Sequence, residues 1–214
     1  MVLNCVTNLT SNILDIHQVN EKKNSKIMKK ILKILVISLL FFSNVNAEER
    51  SNKLDKLFNQ LKNTKALPTA QIVEKKIWEI WLIHPSDDRR GFRLTELLTQ
   101  GSRLMNVGEL SKAYGVFSKI IEVEPDWAEA WNKRATVLYL MNRYQSSLDD
   151  IKITIALEPR HFGALSGQAL NYIELQQYEK AIQSYKAAQK IYPLLDSAKK
   201  MIPELQDLIK DQAV

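Results

Sequence analysis

The sequence holds one cysteine, three histidines, six glycines and six prolines among its 214 residues. A single cysteine excludes an internal disulfide framework and any zinc or iron–sulfur site built on several thiolates. Three histidines leave little material for a metal or catalytic centre. So little glycine argues against a β-rich fold with many tight turns and against a Gly-rich phosphate-binding loop. Collagen-like and Pro-rich compositions are excluded as well. No HExxH, CxxC, GxSxG or P-loop pattern occurs. The acidic pairs Glu48-Glu49, Asp87-Asp88 and Asp149-Asp150 are adjacent, and neighbours on a helix do not face the same way. Catalysis, a cofactor and a small-molecule substrate are therefore not expected.

What is present is ordinary globular composition, 45% hydrophobic and 25% charged, enough for one domain or at most two. The net charge of +6 comes mostly from the first 47 residues, which carry six lysines against two acids. Beyond them 24 basic residues face 22 acidic ones, so the body lacks the basic concentration of a nucleic-acid binder. Met28-Lys29-Lys30, the apolar run Ile34 to Phe42, and Val45 and Ala47 before Glu48 form the tripartite pattern of a secretory signal peptide. This run of nine residues, Ser38 included, is too short to span a bilayer, which takes roughly 20. The competing readings are an uncleaved anchor and a buried core helix. Residues 1–27 are long and mixed for an n-region, so the expected start is Met28. Glu48 rather than cysteine follows the expected cleavage point, which gives a lipid anchor no support. Export to the periplasm is the expectation, with membrane contact only through the leader if it stays uncleaved.

Pro125, Pro159 and Pro193 fall 34 residues apart, preceded by IIEVEP, ITIALEP and AQKIYP. Aligning on them yields units 94–127, 128–161 and 162–195. Small residues recur at Gly101, Ala135 and Ala169, and again at Ala113, Ser147 and Ala181. Large ones align at Phe117, Ile151 and Tyr185. Small columns let two antiparallel helices approach while the large column fills the space left. Gly108, Asn142 and Gln176 stand between the helices, where a left-handed residue ends the first of them. Proline ends the second. One hairpin cannot bury its own apolar face, so stacked neighbours must.

These columns resemble the tetratricopeptide repeat (TPR) family. The middle unit, AEAWNKRATVLYLMNRYQSSLDDIKITIALEP, carries Trp131, Ala135, Leu138, Tyr144 and Pro159 on signature positions, and departs at Arg134, Asn142 and Ser147. The stretches around AEAWNKRA and LEPRHFGAL are also similar to small exported bacterial repeat proteins. The resemblance implies an all-α solenoid of antiparallel helix pairs. It covers about residues 94–195.

Upstream, 48–93 reads as a degenerate fourth repeat, with stripes Leu54/Leu57/Phe58/Leu61 and Val73/Ile77/Ile80/Trp81 and an inserted charged loop, Ser86–Gly91. Downstream, 196–214 reads as a capping helix through Ala198, Met201, Leu205, Leu208 and Ile209, with Pro203 expected to bend or restart it. Arg134 sits where the family usually has leucine. It either pairs with Asp150 or lays its stem over apolar neighbours with its head in water. Trp131 is expected in the core and Trp127 at a unit junction, whereas Trp78 lies off its stripe and faces another helix or a ligand. His84 and His161, beside prolines, read as capping or surface residues.

In the family, binding uses the concave face, built from the first helix of each unit. The matching columns are Thr95, Leu98, Ser102, Met105 and Asn106; then Glu129, Asn132, Thr136 and Tyr139; then Ser166, Leu170 and Ile173. The paired Lys, Arg and Asn that clamp a peptide carboxylate in some members are missing, since Leu98, Ser102 and Ser166 stand there. The expectation is an envelope scaffold holding a protein or peptide partner. The alternative is a membrane-tethered structural subunit whose repeats self-associate. Neither involves nucleic acid.

Overall fold

The computed structural model describes residues 28–30 and 48–212. The upstream stretch 1–27, the leader beyond Lys30 and its expected cleavage residues lie outside the described residues. Glu49–Val214 forms one compact unit. Its helices are α1 (helical over 48–63), α2 (Leu67–Leu82), α3 (Arg89–Asn106), α4 (Leu110–Val123), α5 (Ala128–Leu140), α6 (Tyr144–Leu157), α7 (Phe162–Glu174), α8 (Tyr178–Ile191) and α9 (Asp196–Gln212). No strand occurs among the described residues.

The α3/α4, α5/α6 and α7/α8 hairpins follow the 34-residue period, and each helix packs chiefly on the next. Gly108, Asn142 and Gln176 take φ of 78°, 59° and 57°. Each lets the following amide reach back five residues: Glu109 to Leu104, Arg143 to Leu138 and Gln177 to Tyr172, at 2.7–2.9 Å. That is the αL closure which satisfies the last carbonyls of a helix. A Cβ on Gly101 would sit 2.6 Å from the Phe117 ring. Ala135 packs on Ile151, and Ala169 shares a cluster with Ala181 and Tyr185.

The stack has different ends. At the C-terminal end α9 buries Ala198 and Leu205 on α7 and α8, and it runs through Pro203 as one helix; Leu208 is exposed. At the N-terminal end no hairpin of the 34-residue period precedes α3 among the described residues. In α5 the residues turned toward the preceding unit include Ala130 and Val137, buried against Phe117 and Ile120. The same columns of α3 hold Glu96 and Arg103, both exposed. Charge at those two positions gives a neighbouring repeat nothing apolar to pack on.

The expected fourth repeat packs differently. Both stripes are buried, but on Phe162, Leu165, Ala188 and Tyr192 of the third unit. Trp127, the last residue of the first unit and the one just before α5, ties in by donating its Nε1–H to Trp81 O at 3.2 Å. Trp78 faces another helix, with its edge on His161 and Phe162. The charged loop is also shorter than expected. Asp88 Oδ1 accepts from the Gly91 amide at 2.7 Å and starts α3 at Arg89, so residues 89–93 belong to the first hairpin.

Candidate functional site

Between α5 and α7 the stack leaves a cavity of about 220 Å³ on the face formed by first helices. Asn132, Thr136 and Tyr139 line it from α5, and Ser166 and Leu170 from α7. Ala135, Ile151, Gly163 and Gly167 provide a small, apolar floor, flanked by Ser147 and Asn171. Two glycines one turn apart on α7 leave room that larger residues would fill.

The polar groups of the cavity have directed hydrogen bonds. Thr136 Oγ1 donates to Asn132 O and Ser166 Oγ to Phe162 O, each at 2.9 Å. Asn171 Nδ2 donates to Ser147 Oγ at 3.0 Å and to Gly167 O at 2.8 Å, while its buried Oδ1 has no partner. At one end Tyr139 Oη donates to Glu174 Oε1 at 3.2 Å, and Tyr144 Oη lies 3.3 Å from Glu174 Oε2. Burial, then the Glu174 charge, raises the pKa of both phenols.

The opposite end is closed by α2. The Trp78 indole occupies the space a side chain at Gly163 would need, 2.6 Å from an ideal Cβ. Beneath it His161 caps α7, its Nδ1 accepting from the Ala164 amide at 3.0 Å, and its Nε2 lies 3.0 Å from Glu129 Oε2. Glu129 also accepts from Asn132 Nδ2 at 3.2 Å and meets Lys133 Nζ at 3.3 Å. Burial pushes the Glu129 pKa up, but the His161 hydrogen bond and the Lys133 charge outweigh it and hold the carboxyl below its ordinary value.

Several expected positions therefore change. Leu98 stands in the core with Leu94 and Phe117, because Leu82 and Trp127 pack over that part of the first unit. Glu129 is closed from solvent by His161 and α2 rather than facing a groove. Met105 and Ile173 are half-buried against core clusters, Ser102 Oγ is spent on Leu98 O, and Asn106 is exposed at the end of α3. Thr95 Oγ1 bonds the His84 amide and Gly91 O. Trp131 is only half-buried, its Nε1–H donating to Pro125 O at 2.7 Å. His84 and His161 are buried rather than superficial, and His161 has the expected capping role at the start of α7. Arg134 makes the ion pair, with Nε–Oδ2 at 2.7 Å and Nη2–Oδ1 at 2.8 Å to Asp150.

Sequence columns did not point to Glu174, Asn171, Gly163 or Gly167. The two glycines of α7 were the available signal, as the other first helices have no such pair. Among the described residues no cluster of His, Cys, Asp or Glu could hold a metal ion, and no helix is long and apolar enough to cross a membrane.

No family model matches the chain. It is 28% identical over 170 residues to a TPR repeat-containing protein of Rhizobium etli, covering 77% of this chain and 81% of that one. Among solved structures it resembles the first TPR of Spaghetti (RPAP3) bound to an HSP90 peptide, SRMEEVD, with a TM-score of 0.53 and 17% identity over 55% of this chain and 93% of that one. The Sgt2 TPR domain of Aspergillus fumigatus gives 0.54 and 17%, over 56% and 82%. These structural likenesses bear on the fold, which agrees with the 34-residue period, the αL closures and the small-to-large helix contacts. The chain has the fold of tetratricopeptide repeat proteins and is similar in sequence to one of them.

Proposed function

We propose that this chain is a non-enzymatic scaffold of the bacterial cell envelope that holds an extended segment of a partner protein in the cavity between α5 and α7. The observation that carries the reading is the cavity itself. It draws Asn132, Thr136 and Tyr139 from one repeat and Ser166 and Leu170 from the next onto one concavity of about 220 Å³. Apolar walls with a few convergent polar groups suit a side chain and its flanking backbone. The R. etli relative and the peptide-bound RPAP3 domain support an interaction role for this fold. The Lys-Lys, apolar and Val45-x-Ala47 pattern supports export, with Glu48 as the first residue of the exported form.

Capture from envelope extract with the full tagged chain tests the reading. Thr136 is exposed, so Thr136→Trp fills the cavity without disturbing the core. It should reduce partner recovery about tenfold or more while helicity stays unchanged, and Lys186→Ala on α8 should do nothing. Equal recovery by the Trp variant would remove the cavity from the binding model. Fractionation tests the location: a periplasmic form beginning at Glu48 is expected, and an intact leader in membranes would favour the tethered subunit.

A further inference from the structure

The hydrogen bonds around the cavity share a direction. Thr136 and Ser166 spend their hydroxyl protons on their own helix, on Asn132 O and Phe162 O. Ser147 Oγ donates to Ala135 O at 2.8 Å. Asn171 commits its amide nitrogen to Ser147 and Gly167, leaving Oδ1 buried and unpartnered. The Tyr139 hydroxyl is given to Glu174. What these groups leave toward a ligand is lone pairs: hydroxyl oxygens, an amide oxygen and, one turn past Leu170, a carboxylate. Glu174 accepts from Tyr139, lies 3.3 Å from the Tyr144 hydroxyl, which has a nearer acceptor in Asn142 Oδ1 at 2.9 Å, and has no cation partner among the described residues. Lys133, at the far end, is already engaged with Glu129 and lies 5.9 Å from the Trp78 ring.

Acceptors around an apolar floor suit a ligand that brings donors on an apolar stem. Lys and Arg side chains have that construction, an alkyl stem ending in three or five N–H donors. Resting on the peptide-binding reading above, we propose that the cavity selects a basic side chain of the partner segment. Its stem lies over Ala135, Ile151 and Leu170, and its cationic head reaches Glu174. The groove is thereby set against acidic segments, whose carboxylates would meet the Glu174 charge and find few free donors.

Arrays of capped heptapeptides test this, with randomised flanks and a central Arg, Lys, citrulline, Leu or Glu, probed with the labelled full chain. Arg and Lys should retain about tenfold more protein than citrulline, which keeps the shape and loses the charge, and Glu should stay at background. In solution, Glu174→Gln should weaken the best Arg peptide about tenfold and leave its Leu counterpart unchanged; Glu174 is exposed, so the variant folds. Leu or Glu peptides bound as tightly as Arg, and blocked by Thr136→Trp, would overturn the basic preference while leaving peptide binding in place. No retention by any peptide class would overturn both. Agmatine bound as tightly as the best Arg peptide would reassign the site to free amines and overturn the peptide assignment.

Discussion

His161 Nε2 stands 3.0 Å from Glu129 Oε2, both side chains closed from solvent, and the Trp81 indole stacks flat on the imidazole at 4.1 Å. One contact thus joins α2, α5 and the start of α7, three elements distant in the chain. Glu129 is anionic at a site where burial opposes charge, because His161 and Lys133 together outweigh the desolvation. Its folded pKa lies below the unfolded one, so its contribution is present above about pH 4.3 and is lost as pH falls through the folded value. The thermal midpoint of the native chain should therefore drop on acidification below about pH 4.5, more steeply than that of Glu129→Gln. Parallel curves for the two would mean that this carboxyl is not coupled to folding.

Arg134 and Asp150 form a second tie, within the middle repeat. The bidentate pair is backed by Ser118 Oγ at 3.3 Å from Arg134 Nη1 and by the Trp131 ring 4.9 Å from the guanidinium. Arg134→Ala strands a mostly buried carboxylate and should cost about 3–5 kcal/mol in urea unfolding. Replacing both partners, Arg134→Met with Asp150→Leu, should recover most of that. A single-variant loss under about 1 kcal/mol would class the pair with screened surface contacts.

The three hairpins were legible because every unit buries the same columns, so proline spacing and small–large pairing register without tertiary knowledge. The left-handed residues at Gly108 and Asn142 were legible for the same reason, whereas Gln176 was legible only as a position between the helices. The N-terminal end of the stack was also written in the chain, at Glu96 and Arg103. Alignment on prolines and small residues does not weigh those interface columns. The site of α1 and α2 was not legible: an amphipathic stripe says that a face is buried, not against what. Once α2 lies on the third unit, Glu129 is sealed and one end of the groove closes. Leu82 and Trp127 remove Leu98 from the groove in the same way. Each of these depends on packing between distant segments, which spacing along one helix does not encode.

Tyr185 and Tyr192 predict an alkaline limit. Both are buried, and burial, aided by Tyr139 for the first and by Glu74 for the second, pushes their pKa up to about 12. The folded value exceeds the unfolded one near 10, so the neutral phenol's contribution is intact below pH 10 and is lost as pH rises toward 12. Stability should fall across that window, by about 2–3 kcal/mol for each tyrosine. Tyr185→Phe should fall less than the native chain over the same range. Identical alkaline curves would show that Tyr185 already ionises freely in the folded protein.

The last prediction separates two tryptophans four residues apart. Trp127 is 3% exposed, packs among Ile120, Ile121 and Ala130, and meets His84 edge-on at 5.1 Å. Its Nε1–H is also the donor to Trp81 O, so truncation opens a cavity and orphans a buried carbonyl. Trp131, on the family's signature column, is half in water. It has one hydrogen bond to Pro125 O and one guanidinium over its ring. Trp127→Ala should therefore cost about 3–5 kcal/mol, and also loosen α2, seen as faster amide exchange at Ile77 to Trp81. Trp131→Ala gives up a hydrogen bond, a cation–π contact and part of its buried area, about 1–3 kcal/mol together. Its exchange pattern at α2 should match the native chain. A larger loss at Trp131 than at Trp127 would mean that the signature column, not the α2 junction, holds the middle repeat in place.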